Sequence, residues 1–289
     1  MCIAQKAEER TAYTKMEENQ MEWTKELFNT DKPIIAMCHI RALPGDLDYD
    51  EEKGMAYVVE KAREDFLALQ KGGVDAVMFS NEFSLPYLKK VKPETTAAMA
   101  AVIGELRSEI KIPFGVNILW DPYASLDLAA ATGACFIREV MSGVYAGDLG
   151  LWDNDAGEIS RHKKRLGLKD KVKLLYNIYP EAAAYLGNRD IVDIAKTNVF
   201  NNKPDALLVS GATAGANTDT SILRRVKEAL PDTNIFCNTG CKLETVEMQL
   251  SVSDGAIVGT YFKKDGKFEN FVEYDRVAKF MEKVRSIRQ

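Results

Sequence analysis

The feature that most constrains this chain is a unit that recurs eight times: a short apolar, β-rich run, a turn, then an amphipathic stretch of helical period. The runs are Ile34–His39, Val74–Phe79, Phe114–Leu119, Cys135–Arg138, Val172–Ile178, Ala206–Val209, Ile235–Asn238 and Gly255–Val258. They are nearly continuous in apolar residues, not alternating. That pattern belongs to strands buried on both faces, as in a parallel sheet. Between them lie helical stripes such as Met55, Val58, Val59, Ala62, Phe66 and Leu69, or Tyr274, Val277, Phe280, Met281, Val284 and Ile287. A 3.6-residue spacing with charge on the opposite side marks helices that pack on such a sheet. Eight units within 289 residues predict a single-domain α/β fold, a (βα)8 TIM barrel over residues 21–289. An open, doubly wound sheet would carry a glycine-rich turn after its first strand. Here that position reads HIRALPGD, which is not that fingerprint. Residues 1–20 are polar and form an extension, helical or disordered, outside the barrel.

Composition narrows the function classes. The net charge is −5 and 28% of residues are charged, so nothing draws the whole chain to nucleic acid or to an anionic membrane. No apolar run approaches the ~20 residues of a membrane helix. Five cysteines, an odd number, lie mostly in apolar runs with no secretory leader before them; they read as reduced thiols of a cytoplasmic protein. Barrels of this size often oligomerise, but no interface is legible.

In such a barrel the chemistry belongs to the carboxyl ends of the strands. Those ends supply His39 and Arg41, then Asn81 and Glu82, Asn117, Arg138 and Glu139, Asn177, Ser210, Gly211 and Thr213, Asn238, Thr239 and Gly240, and finally Gly259 and Thr260. The last three sets, VSGATAG, CNTGC and VGT, place glycine beside hydroxyl or amide groups directly after a strand. Glycine lets backbone N–H groups approach an anion, and helix amino ends favour negative charge. These loops read as a phosphate site, or more plainly as tight strand–helix turns. His39 reads as a general acid/base near neutral pH, or as a structural hydrogen-bonder. Arg138 suits a bidentate clamp on a carboxylate or phosphate, or pairs with its neighbour Glu139. Asn117 and Asn177 position substrate if they face inward. A zinc site from Cys38, His39, Cys237 and Cys241 is disfavoured. A hard divalent ion would fall to Glu82, Asp148 or Glu139. The long connection Glu139–Glu158, with four glycines, Tyr145 and Trp152, reads as a lid or site wall, or as a surface insertion.

The strings KPIIAMCHIRALPGD, GGVDAVMFSNEFSLPYL, PETTAAMA, PFGVNILWDPYAS, ATGACFIRE and DGAIVGTYFKKDG resemble the BtpA/SgcQ family, closest to its SgcQ branch, from Met21 to the end. The resemblance implies a barrel of the ribulose-phosphate-binding kind. The better-known branch is linked with photosystem I biogenesis. That branch tends to read Glu-Asn-aromatic-Gly-Asp after the second strand. Here Ser80, Asn81, Glu82 and Ser84 stand in that segment, and the acidic position is displaced. After the seventh strand Asn238-Thr239-Gly240-Cys241 replaces a Gly-Ser-Gly-Val-like loop. The resemblance therefore implies a role in carbohydrate metabolism over a photosynthetic one.

Two expectations follow. The first is an enzyme acting on a small phosphorylated sugar-like compound by acid/base chemistry, with His39, Arg138 and Glu82 or Asp148 as its reactive groups. The reaction class (isomerase, epimerase, lyase or hydrolase) stays open. The second is a non-enzymatic assembly or regulatory factor that docks a partner protein on the long connection.

Overall fold

The computed structural model describes residues 22–211, 219–238 and 240–288. Its strands are β1 (Ile34–His39), β2 (Ala76–Ser80), β3 (Phe114–Asn117), β4 (Phe136–Glu139), β5 (Tyr145–Gly147), β6 (Gly150–Trp152), β7 (Lys173–Tyr179), β8 (Ala183–Tyr185), β9 (Ala206–Ser210), β10 (Ile235–Asn238) and β11 (Gly255–Val258). Eight of them close a parallel barrel in the order β1-β11-β10-β9-β7-β4-β3-β2. Helix α1 spans residues 22–28. Around the barrel follow α2 (Gly54–Gly72), α3 (Pro93–Leu106), α4 (Pro122–Thr132), α5 (Ala156–Arg165), α6 (Ile191–Asn202), α7 (Thr220–Ala229), α8 (Val246–Leu250) and α9 (Tyr274–Ile287). The (βα)8 expectation holds. None of these helices is long and apolar enough to cross a membrane.

The period of two along each strand divides the core into two. Ile34, Ala36 and Cys38 of β1 point outward into the cluster shared with the helices. Ile35 and Met37 point inward, into a second cluster with Ala76, Met78, Phe136, Leu175, Ala206, Leu208, Phe236 and Ile257. The barrel interior is thus filled by side chains, not by solvent. Two glycines make this filling fit. A Cβ on Gly115 would stand 2.2 Å from the Phe136 ring, and one on Gly255 would stand 2.5 Å from the Phe236 ring. The amino end of the barrel is closed by α1. Trp23 and Phe28 join the inner cluster, and Trp23 Nε1 donates to the Asp205 carbonyl at 3.0 Å.

Four helices begin at an aspartate whose carboxylate accepts backbone N–H groups: Asp121 for α4, Asp155 for α5, Asp190 for α6 and Asp219 for α7. Each meets a need that every helix amino end has. Asp121, a polar group just beyond the third strand, is therefore occupied as a cap.

The long connection after β4 is not structureless. Strands β5 and β6 form a hairpin, and β8, from the connection after β7, adds to it as a third antiparallel strand. Tyr145 and Trp152 are both buried in the small apolar cluster this sheet shares with Trp120, Leu149 and Tyr185. The structure thus gives this segment, read as a lid or site wall or as a surface insertion, secondary structure of its own. Its aromatics are spent on packing a subsheet.

Candidate active site at the barrel mouth

Continuing the inward parity to the carboxyl end of each strand gives one residue per strand: His39, Ser80, Asn117, Arg138, Asn177, Ser210, Asn238 and Gly259. Seven of the eight carry polar side chains, and these seven are all buried. A buried polar layer on an apolar interior is costly unless its groups pair with one another, and most of them do. Arg138 donates from Nε and Nη2 to Asn117 Oδ1 at 3.2 and 2.8 Å, and from Nη1 to Asn238 Oδ1 at 3.1 Å. Asn238 Nδ2 donates to Ser210 Oγ at 2.7 Å, which also accepts from Asn177 Nδ2 at 3.2 Å. On the other side Ser80 Oγ donates to Glu82 Oε1 at 3.3 Å. Glu82 Oε1 lies 3.6 Å from Arg138 Nη2, and Tyr87 donates its hydroxyl to Glu82 Oε2 at 3.3 Å. One network of hydrogen bonds and an ion pair therefore crosses the mouth through β2, β3, β4, β10, β9 and β7, with the Arg138 guanidinium at its centre.

Outside the ring, Glu139 has outward parity and is buried. Its Oε1 accepts from Asn117 Nδ2 and from Ser125 Oγ on α4, while Oε2 has no partner. Because Asn117 Nδ2 also donates to the Arg138 carbonyl at 2.8 Å, both amide protons are engaged and Oδ1 must face the guanidinium. Burial pushes the Glu139 carboxyl well above the usual carboxylate range. Asn81 accepts the Leu119 N–H at 2.8 Å and ties two loops together.

His39 is the ring member left out of the network. Its Nδ1 has no partner among the described residues, and its Nε2 abuts Gly259, where an added Cβ would stand 2.9 Å away. Gly259 thus makes room for the imidazole. Burial, and then the charges of Lys263, Arg138 and Arg41, hold the His39 pKa well below its usual value. His39 is consequently neutral at pH 7.

The other named residues fall as follows. Gly211 is buried at the end of β9, Gly240 has φ +66°, and Thr260 opens a 3-10 turn. Thr213 and Thr239 lie outside the described residues. Arg41 stands off the ring, its guanidinium over the rings of Phe83 and Phe271. Asp148 is exposed in the two-residue turn between β5 and β6 and has no hydrogen bond or ion pair among the described residues. Glu82 is the carboxylate at the mouth. Among the described residues no group of three His, Cys, Asp or Glu side chains is arranged to hold a metal ion. Sequence reasoning did not find Lys263. It lies five residues past β11, yet it is 1% exposed, and burial lowers its pKa to about 8. Nothing in YFKKDG distinguishes a buried lysine from the exposed Lys264 beside it.

Comparison with known proteins agrees with this architecture. A model of the BtpA family matches residues 30–286. The putative sgc region protein SgcQ of Escherichia coli (strain K12) is 63% identical over 269 residues, covering 93% of this chain and all of that protein. The photosystem I biogenesis protein BtpA of Synechocystis is 28% identical over 258 residues, 88% of each chain. Among solved structures, thiamine phosphate pyrophosphorylase from Pyrococcus furiosus aligns with a TM-score of 0.54 at 15% identity, over 91% of this chain and 100% of that one; this is a likeness of fold. The family match spans the barrel from before β1 into the last turn of α9, and the chain belongs to the BtpA family.

Proposed function

We propose that the protein is an enzyme of carbohydrate metabolism that acts on a small phosphorylated sugar-like compound by acid/base chemistry at the barrel mouth. The observation that carries this reading is the buried polar ring built around Arg138. A scaffold has no need to bury seven polar side chains in one layer, and such layers are costly to assemble. At the centre of the ring Arg138 has, among the described residues, a single carboxylate, Glu82, within 4 Å, so the guanidinium keeps charge to offer an anionic or developing-anionic oxygen. His39, neutral and with one ring nitrogen unpaired, is poised to accept a proton. Asn177 positions substrate, Asn117 holds the Arg138 guanidinium in place, and Glu82 is the second acid/base group. The phosphate lies on the loops after β9, β10 and β11, at Gly211, Gly240 and Gly259. That placement follows the general habit of barrels, which build phosphate sites from their last loops.

The test is thermal stability of the full chain against inorganic phosphate, sugar phosphates and the matching unphosphorylated sugars. A ligand at ~100 times its dissociation constant adds about 2.7 kcal/mol. The expected result is stabilisation by one or more sugar phosphates and none by the parent sugars. The isosteric Asn238→Asp, which adds a negative charge beside Ser210 and Arg138, abolishes the effect. Once a stabilising compound is turned over, His39→Ala removes turnover. Equal stabilisation of wild type and Asn238→Asp, or full turnover by His39→Ala, overturns the reading.

A further inference from the structure

The connection from β11 to α9 folds back over the β1 side of the mouth as a strap. Its base is closed by a bridge between Lys263 and Val272. Lys264 N–H donates to the Phe271 carbonyl at 2.8 Å, and Asp65 of α2 accepts the Val272 N–H at 2.7 Å. The strap carries two phenyl rings over this side of the mouth. Phe268 stands 5.5 Å from the His39 ring and 4.8 Å from Phe83. Phe271 and Phe83 lie 4.3 and 4.2 Å from the Arg41 guanidinium carbon. Lys263 Nζ donates to the Phe268 carbonyl and sits 4.7 and 4.9 Å from the Phe83 and Phe268 rings. Three basic side chains from β1, its following loop and the start of the strap therefore share one aromatic lining.

Their polar atoms are poorly served. Arg41 makes one hydrogen bond, Nη1 to the Glu269 carbonyl at 3.1 Å, and has no carboxylate partner among the described residues. Its Nε and Nη2 are buried without partners among the described residues, as is His39 Nδ1. The charged groups facing this cluster are Asp65 and Glu82, which act on Lys263, and Arg138, which acts on His39. An unmet buried donor costs roughly 1–3 kcal/mol, more on a charged group, and such groups in a native fold call for an explanation. The Nε and Nη2 edge of a guanidinium matches two oxygens of one oxyanion. The cover is thin, since Phe271 is 38% exposed and Lys264, Asp265, Lys267 and Glu269 are exposed.

We propose that Arg41, His39 and Lys263 form a second anion site, for a carboxylate or phosphate group, reached when the strap of residues 264–271 moves outward. The inference rests on the reading above in one respect: it makes the substrate an anion at both ends, a phosphorylated sugar acid or a bisphosphate. One oxyanion lies over the loops after β9, β10 and β11, and the other lies under the strap.

The chain has two histidines, so the full-length protein gives two imidazole Hε1 resonances. His162, paired with Asp127 on the outside of the barrel, is the internal reference. Inorganic phosphate and D-gluconate are titrated separately at constant ionic strength to ~50 mM, well above a millimolar dissociation constant. The expected result is a saturable shift of the His39 signal with at least one of the two anions. Its titration midpoint rises by about one unit as the anion offsets the surrounding cations. The anion that moves His39 says whether the site prefers phosphate or carboxylate. Arg41→Gln weakens the response at least tenfold, Asn238→Asp retains it, and Phe271→Ala tightens it by thinning the cover. A His39 signal unmoved by both anions, or one that moves identically in wild type and Arg41→Gln, overturns the proposal. A His39 response that survives while sugar phosphates fail to stabilise the protein sinks the phosphosugar reading and leaves this site standing.

Discussion

Glu139 is buried on every side, and its only charged neighbour to favour ionisation is Arg138. Its carboxyl therefore keeps a proton in the fold that the unfolded chain gives up near 4.5, the ordinary value. Above that pH the folded state binds more protons than the unfolded one, so stability falls as pH rises toward the folded pKa. Glutamine keeps the acceptor that Asn117 and Ser125 use but cannot ionise. The expectation is that Glu139→Gln gains melting temperature relative to wild type progressively as pH rises above the ordinary carboxylate value of 4.5, read by calorimetry at each pH. A difference between the two that does not vary with pH would show that Glu139 titrates normally. The sequence already marked the ends of the strands, so the residue types of the ring were legible from parity and position. What each residue binds was not. That Asn117 has its amide fixed by Glu139, and that Gly259 exists to admit His39, depend on contacts between strands that no local pattern encodes. Lys263 shows the limit plainly, since its burial is imposed by a strap that folds back from further along the chain.

At the scale of elements, all eight barrel strands were legible because each is short, apolar and followed by a helical stripe. Three kept their bounds and five moved by one or two residues, as when β4 extends to Glu139 and β2 begins at Ala76. The subsheet of β5, β6 and β8 was not legible. Its strands are three residues each, too short to show alternation, and β8 comes from a different connection. What holds it is side-chain burial, above all Tyr145, whose hydroxyl donates to the Ile178 carbonyl at 3.0 Å and whose ring packs edge-on against Tyr185 at 5.2 Å. Ile178 belongs to β7, so this bond fastens the subsheet to the barrel. Tyr145→Phe should cost about 1 kcal/mol, spent locally. Hydrogen exchange should quicken in residues 145–152 and 183–185 while amides of β1, β2 and β3 keep their protection. Equal loss of protection in both regions would mean that the subsheet and barrel open as one unit.

At the scale of the whole molecule, the barrel divides its work between its ends. The carboxyl end carries the polar ring, with its unpaired nitrogen on His39 and its thin aromatic cover. The amino end is closed by α1, where Trp23 and Phe28 stand 5.7 Å apart and Phe28 meets Phe136 at 5.7 Å. Conserving stability at one end and chemistry at the other is the general division in this architecture. Here it has a direct test, because Phe136 and Arg138 are successive inward residues of the same strand. If the layers were mechanically coupled, loosening the plug would disturb the guanidinium one layer above. Close packing argues otherwise: Phe136 is fully buried among Leu175, Phe236 and Gly115 as well as Phe28, and those neighbours hold it when Phe28 loosens. Trp23→Ala should therefore lose about 3–5 kcal/mol from the cavity and the lost indole bond, lowering the melting temperature on the order of ten degrees. The increment in melting temperature produced by a stabilising sugar phosphate, and the position of the His39 imidazole signal, should stay as they are in the parent protein. A variant that keeps its fold at low temperature yet loses the ligand increment would show the two ends to be coupled through the inner cluster, and the ring would then have to be understood as resting on the plug.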